Sequence, residues 1–168
     1  MTASQPRSSR SAKPQIWVDS REPPNILADL RVKGMVAEVA TLETGDYLWS
    51  TSLGKPILVE RKTVSDLLSS FTGKQANGSS RAVNQIQRLS TYDGIALLAI
   101  EGYPSVTWDG KIENKGRVSS FTQLGIDNFL LSAQNAGLKI VWARAGHFAD
   151  RLIGLVNYYE KEHHLWQT

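Results

Sequence analysis

Two acids and a lysine carry the reactive chemistry of this sequence. Asp46, in Gly45-Asp46-Tyr47, is separated by thirteen residues from Glu60, which opens Glu60-Arg61-Lys62-Thr63-Val64-Ser65-Asp66. Carboxylates are hard oxygen donors. Mg2+ is held by one or two of them, keeps several waters and takes substrate phosphate. It polarises a phosphoryl oxygen and lowers the pKa of water. A neighbouring lysine can orient or deprotonate that water and screen developing charge. The set suits phosphodiester hydrolysis. Its geometry follows from strand periodicity. If residues 56–62 form a strand, Leu58, Glu60 and Lys62 share one face, and Ile57, Val59 and Arg61 share the other. A hairpin partner opening at Asp46 then brings the second carboxylate beside Glu60 at one sheet edge. Asp66 also fits a second role, the cap of the helix that follows.

Other chemistries are poorly served. There is no cysteine, which excludes disulfides, thiolate metal sites and a cysteine nucleophile. Gly73-Lys74 resembles the end of a phosphate loop, but Gln75 replaces the required Ser or Thr and Leu68 stands where the first Gly belongs. No HExxH zinc motif and no GxSxG elbow occurs, and the histidines are His147, His163 and His164. No apolar run approaches the roughly 20 residues of a membrane span. The basic N-terminus has no apolar segment after it, so a secretory signal is not expected.

The 168 residues suit one domain, and 41% are hydrophobic. Lys and Arg number 19 against 16 Asp and Glu, a net charge of +3. Arg7, Arg10 and Lys13 account for that excess, so any polyanion site on the body depends on how charge is arranged. Residues 1–14, rich in Ser, Arg and Pro, are expected to be a disordered basic tail. Order is expected from residue 15.

The elements that must position the acids follow from periodicity and punctuation. Residues 16–19 read as a strand, and 25–33 as a helix stopped by Gly34. Residues 35–42, 47–49 and 56–62 read as a three-stranded meander with turns at Gly45-Asp46 and Leu53-Gly54-Lys55. Thr63 caps a helix, with Asp66 at the box position. Residues 72–80 read as a loop and 81–92 as an amphipathic helix. In that helix Arg81, Gln85 and Arg88 share one face, with Ala82, Val83, Ile86 and Leu89 opposite. The continuous run 95–100 predicts a strand buried on both faces. Residues 102–117 read as loop, 120–135 as a helix stopped by Gly137, 138–142 as a strand and 147–163 as the last helix. Buried strands alternating with helices predict an α/β fold, a three-layer α/β/α sandwich around a mixed sheet.

The motifs also resemble a known family. Val18-Asp19-Ser20-Arg21-Glu22, then Gly45-Asp46-Tyr47, then Val59-Glu60-Arg61-Lys62 with Asp66, is similar to the XPF-type structure-specific DNA endonucleases. Their signature is GD…ERKxxxD after a VDxRE start, within the PD-(D/E)xK, restriction-endonuclease-like superfamily. Ser69-Ser70, the Arg81…Gln85 helix with Arg88-Leu89, and Leu97-Leu98-Ala99-Ile100-Glu101 extend the resemblance to residues 16–160. It implies a restriction-endonuclease-like sandwich and a nuclease domain over residues 15–168. By matching position it implies Asp46 and Glu60 as metal ligands and Lys62 as the catalytic lysine. Arg61 and Asp66 are the further signature positions. Asp19 and Glu22 are additional candidate ligands. Arg21, Lys74, Arg81, Gln85 and Arg88 are candidate DNA contacts. Arg61 faces away from the metal and is expected to support the fold or reach phosphate from beneath.

The resulting expectation is an Mg2+-dependent DNA endonuclease, with Mn2+ able to substitute, cutting branched, flap or fork DNA in repair, recombination or replication. The rivals are a non-catalytic DNA-binding or dimerisation partner, and a phage- or restriction-type nuclease acting on plain duplex. The family commonly follows this domain with a tandem helix-hairpin-helix domain. The sequence has none, so it is expected to act as the nuclease domain alone, and its 72–80 loop is longer than the family's. Large apolar residues crowd 129–159, which in the family pairs two nuclease domains. A homodimer or heterodimer through the last helices is therefore expected, without membrane association. The expected location is intracellular, with DNA: cytoplasm or nucleoid in a prokaryotic or viral setting, nucleus in a eukaryotic one.

Overall fold

Branched residues near the start of the chain and an unbroken apolar run in its middle build the central sheet. The computed structural model describes residues 13–72 and 80–161. Its strands and helices, in chain order, are β1 (Gln15–Asp19), α1 (Pro24–Val32), β2 (Val36–Ala40), β3 (Tyr47–Ser50), β4 (Pro56–Thr63), α2 (Val64–Thr72), α3 (Arg81–Ser90), β5 (Ile95–Glu101), β6 (Ser105–Val106), β7 (Lys111–Asn114), β8 (Arg117–Thr122), α4 (Gln123–Asn135), β9 (Lys139–Ala143) and α5 (Phe148–Tyr159). Six strands form one mixed sheet in the order β2-β1-β3-β4-β5-β9. β4 and β5 pair in parallel from Ile57↔Ile95 to Thr63↔Glu101, so the run that carries the acids lies beside the apolar centre.

Strand alternation divides the core between the two faces. Ile57 and Val59 of β4 join Ile16, Val18, Leu97 and Ala99 under α1 and α5. Leu58 turns the other way and packs with Leu98, Ile100, Val64, Leu67 and Leu89 under α2, α3 and α4. Helices therefore cover both faces, and the fold is the expected three-layer α/β/α sandwich.

The expected meander is corrected in one respect. β2 does not neighbour β3. α1 carries the chain over the sheet, so β2 enters parallel to β1, from Gln15↔Val36 to Asp19↔Ala40, and becomes an edge strand. β1 stands between them and pairs antiparallel with β3, Trp17 opposite Leu48. Only β3 and β4 form the expected hairpin, with Tyr47 opposite Val59.

A second correction concerns residues 102–117. They are not plain loop: β6, β7 and β8 form a separate three-stranded antiparallel sheet. Its tight turn passes through Lys115 at φ 52° and Gly116 at φ 73°. Two successive positive φ values are what a two-residue type I′ hairpin needs. Lys at the first of them hid the signal. β8 also takes Ser120 out of the expected helix. α4 starts at Gln123, capped by Thr122, whose hydroxyl accepts from the Gly125 N–H at 3.2 Å. α3 ends at Ser90 and α5 at Tyr159, both short of expectation. Most of the tail lies outside the described residues. Lys13 lies within them and donates from Nζ to the Gly34 carbonyl at 2.8 Å, just past α1.

Gly45 links this framework to the acids. It sits at φ 76°, where an L side chain is strained, and an added Cβ would lie 2.5 Å from Leu58 Cδ1. Gly45→Ala is expected to destabilise the protein by about 2–5 kcal/mol, combining a left-handed-backbone cost of about 1–2 with an overpacking cost of about 1–3. Urea unfolding would measure it. An unchanged midpoint would show that neither the turn nor the Leu58 contact constrains residue 45.

Candidate active site

β4 presents Glu60, Arg61 and Lys62 in succession, and the pleat sends them to alternate faces. Glu60 and Lys62 emerge together, as periodicity required. Lys62 Nζ lies 3.6 Å from Glu60 Oε1, and both side chains are almost wholly buried. Asp46 arrives from the neighbouring strand. Its N–H donates to the Val59 carbonyl at 2.8 Å, and its own carbonyl accepts from the Asp19 N–H at 2.8 Å. Its Oδ2 accepts from the Arg61 backbone N–H at 2.7 Å. Three strand ends thus fix where this carboxylate stands.

Charging the two acids together is costly. Burial and the Glu60 charge push the Asp46 carboxyl up to about 7. Burial also pushes Glu60 up, against the pull of the Lys62 ammonium. Two desolvated carboxylates with raised pKa values form a donor set that a hard divalent cation satisfies. Asp46 and Glu60 are the residues that could hold one. Among the described residues, no group of three or more His, Cys, Asp or Glu side chains is arranged to hold a metal.

Asp19 and Glu22, the additional candidate ligands, each have protein partners, and the Glu22 charge also helps to raise both Asp46 and Glu60. Asp19 is 1% exposed. Its Oδ1 accepts from Arg21 Nε at 2.5 Å and from the Arg21 N–H at 2.9 Å, and its Oδ2 from the Leu42 N–H at 2.8 Å. The Arg21 guanidinium and the two backbone donors hold it down at about 2. It clamps the end of β1 to the segment after β2. Glu22 accepts from the Tyr47 hydroxyl and lies 3.4 Å from Arg61 Nη1.

Arg61 points to the opposite face, as its position in the strand required. Glu101 Oε2 receives Arg61 Nε at 2.8 Å and Nη2 at 2.5 Å. The guanidinium lies 5.4 Å from the centre of the Phe148 ring. Glu101 Oε1 in turn accepts from the Gly146 N–H at 2.8 Å. Tyr47 and Glu101 were not among the sequence candidates. The acid ending the Leu97–Glu101 run was the available signal for Glu101. Tyr47 stands in the Gly45-Asp46-Tyr47 motif, but nothing local marks its partner, which lies 25 residues away.

A cleft of about 790 Å³ opens beside Glu60 and Lys62, between α2 and α3. Arg81, Gln85 and Arg88 all line it, with Lys62 and Asp66. Gln85 does more than face the cleft: its amide donates to Glu60 Oε1. The opposite face of α3 is narrower than the sequence pattern implied, since Ala82 and Leu89 are buried while Val83 is exposed. Asp66 keeps both readings open. Its N–H donates to Thr63 Oγ1 at 3.1 Å and its carboxylate accepts from that hydroxyl at 2.6 Å, a cap at the wall of the cleft. Arg21 is largely exposed and also reaches the Leu42 carbonyl at 3.3 Å. Lys74 lies outside the described residues.

Comparison with known proteins places the chain in a family. The family model described as ERCC4 domain matches residues 18–152. DNA repair endonuclease UVH1 of Arabidopsis thaliana is 42% identical over 88 residues, which is 52% of this chain and 8% of the relative. The chain therefore corresponds to a small part of that protein. Among solved structures, XPF from Aeropyrum pernix aligns with a TM-score of 0.63 and 24% identity over 89% of this chain and 66% of that one. XPF from Aeropyrum pernix in complex with DNA aligns with a TM-score of 0.62 and 22% identity over 90% and 68% of the respective chains. These two likenesses establish the restriction-endonuclease-like fold.

The raised Asp46 pKa has a consequence for stability. Its folded value, about 7, lies above the unfolded 3.8, so protonation favours the folded state. That contribution is complete below the unfolded value and is lost as pH rises through the folded one. Asp46→Asn removes it and keeps an oxygen to accept from Arg61. In EDTA the variant's melting temperature is expected to rise relative to wild type between about pH 4 and pH 7, with a constant gap above. Calorimetry across that range would check it, and parallel curves would contradict it.

Proposed function

The chain belongs to the ERCC4 domain family, and from that premise we propose that it is an Mg2+-dependent DNA endonuclease acting on branched, flap or fork DNA. The observation that carries this reading is the meeting of Asp46, Glu60 and Lys62 at the adjacent central strands β3 and β4, not at a sheet edge as the sequence pattern implied, beside a cleft with two arginines on its wall. A relative named as a DNA repair endonuclease, and a structural neighbour solved with DNA, support DNA as the substrate. Such a substrate puts the protein with DNA in the cell. Among the described residues, no helix is long and apolar enough to cross a membrane.

Asp46 and Glu60 would hold the metal. Bound there, Mg2+ would supply Lewis acidity, neutralising phosphate charge and making water more acidic, and Mn2+ has the same preference for oxygen ligands. Lys62 stabilises negative charge as it develops on the non-bridging oxygens and orients the attacking water. The water oxygen bonds to phosphorus, the bond to the leaving sugar oxygen breaks, and the water's protons pass to solvent and leaving group. Arg81 and Arg88 hold flanking phosphates across the cleft. Gln85 fixes the orientation of the Glu60 carboxylate through its amide. Arg61 positions Asp46 from its backbone N–H while its guanidinium is anchored behind the sheet.

Labelled flap, fork, splayed-arm and plain duplex DNA, incubated with Mg2+, Mn2+ or EDTA, test the reading. Asp46→Asn, Glu60→Gln and Lys62→Ala are each expected to slow cleavage by about 10²–10³-fold or more, with folding retained. Near-wild-type cleavage by Glu60→Gln would overturn the assignment. Equal cleavage of duplex and branched DNA would overturn the branch preference alone.

We also propose that a second nuclease domain, of this chain or a similar one, covers its C-terminal side. Most of the apolar surplus in residues 129–159 is internal: Leu130, Phe148, Leu152, Leu155 and Val156 are buried in the chain's own core. What supports pairing is the sheet edge. β9 has no strand partner beyond it among the described residues. A groove of about 410 Å³ between Val141, Arg151 and Tyr158 runs alongside. An unpaired edge of this kind is normally covered or protected. Sedimentation at tens of micromolar is expected to give a dimer, and a monomeric mass there would count against self-pairing.

A further inference from the structure

The β7–β8 hairpin turns back against α2, and a second cleft lies between them. Asn114 Nδ2 donates to Ser65 Oγ at 2.7 Å and ties the hairpin to the first turn of the helix. The cleft encloses about 440 Å³ and is lined by Ser65, Leu68, Asn114, Lys115, Arg117 and Val118, with Ser119 at its margin. None of these residues lines the larger cleft, to which α2 gives Asp66, Ser69 and Ser70. One helix therefore separates the two.

The charge in this second cleft is unbalanced. Lys115 and Arg117 are exposed, and neither side chain makes an ion pair or hydrogen bond among the described residues. Glu113, on the same hairpin, is in ion-pair range of neither. Lys33 and Lys111, by contrast, pair with Asp150 and Asp109, and what sets the cleft apart is that its lining carries two cations and no acid. The positive φ of Lys115 is unusual for a residue other than glycine, and it places this cation at the hairpin tip. Leu68 and the 56%-exposed Val118 add apolar surface to the same lining.

We propose that this cleft is a binding subsite for single-stranded DNA flanking the point of cleavage, with Lys115 and Arg117 on its phosphates. The ligand class rests on the DNA-endonuclease reading above. A single strand suits the cleft for three reasons. Two unpaired cations match a phosphodiester backbone, and the Leu68 and Val118 surface matches a sugar or base. The space is also too small for a duplex, whose major groove alone is about 12 Å wide. The width of α2, about 10 Å, corresponds to about three stacked nucleotides at 3.4 Å each. The subsite would therefore engage the strand on the order of three nucleotides from the scissile phosphate. It would favour DNA with an unpaired arm, because a blunt duplex has no free strand to enter.

The test is salt-titrated binding in EDTA, with the full chain and two probes: an oligonucleotide fork with single-stranded arms and a blunt duplex of the same sequence. The double variant K115A/R117A is expected to lower the slope of log K against log salt on the fork by about 1.4, at about 0.7 per cation on a single strand. On blunt duplex the slope should stay the same. Val118→Asp, which leaves both cations in place and adds a carboxylate to the cleft, is expected to weaken fork binding alone, and it decides the matter if the double variant does not fold. An unchanged fork slope, or an equal loss on duplex, would overturn the subsite. Wild-type protein that binds neither probe would overturn the DNA reading itself. Wild-type binding without cleavage in Mg2+ would overturn only the catalytic reading.

Discussion

The 2.7 Å hydrogen bond from the Arg61 N–H to Asp46 Oδ2 is the contact on which the rest of the site depends. It exists because Asp46 stands immediately before β3, where β4 still has a backbone donor to give. It makes the position of one carboxylate a property of the β3–β4 register. The same residue whose N–H holds Asp46 sends its side chain through the sheet to Glu101 and Glu22. Movement of Arg61 on one face would therefore displace an acid on the other. The two sides of the sheet are coupled through one residue of backbone.

That coupling explains why the back of the sheet is so heavily bonded. Arg61 is gripped by two acids and rests on Phe148, and Glu101 is fixed in turn by the Gly146 N–H. A buried guanidinium is costly unless its donors are occupied. Here occupying them also makes β4 rigid where it carries Glu60 and Lys62. On the front face the balance differs. Asp46 and Glu60 share one lysine and are both pushed towards the protonated state. The framework holds them together despite their repulsion, as a preorganised binding site for positive charge requires.

The arrangement of clefts follows from α2. Thr63 caps the helix where β4 ends, so its first turn rises directly from the acid-bearing strand. Residues on one side of it meet α3 and those on the other meet the small sheet. A polyanion crossing this helix meets arginines before it and an unpaired lysine and arginine after it. Against a body whose acids and bases nearly cancel, attraction has to come from such local arrangement.

The sequence by itself determined the features that depend on a few adjacent residues. The period of two on β4 separated Glu60 and Lys62 from Arg61. Thr63 and Asp66 marked a helix start, Gly45-Asp46 a turn, and the run after Gly94 a strand buried on both faces. Each is a consequence of local backbone geometry, and the structure retains each. Tertiary structure decided what depended on distant partners. It put β1 between β2 and β3, because a helical crossover returns a strand in parallel and leaves the antiparallel place to another. It committed Asp19 to the Leu42 N–H and Glu22 to Tyr47 and Arg61, which no spacing announces. It brought Gln85 onto Glu60 across 25 residues of chain, and it folded a stretch that reads as loop into a second, three-stranded sheet. In each case the competing conformations differ little in local energy, and the choice falls to packing and hydrogen bonds that form only when the chain is assembled.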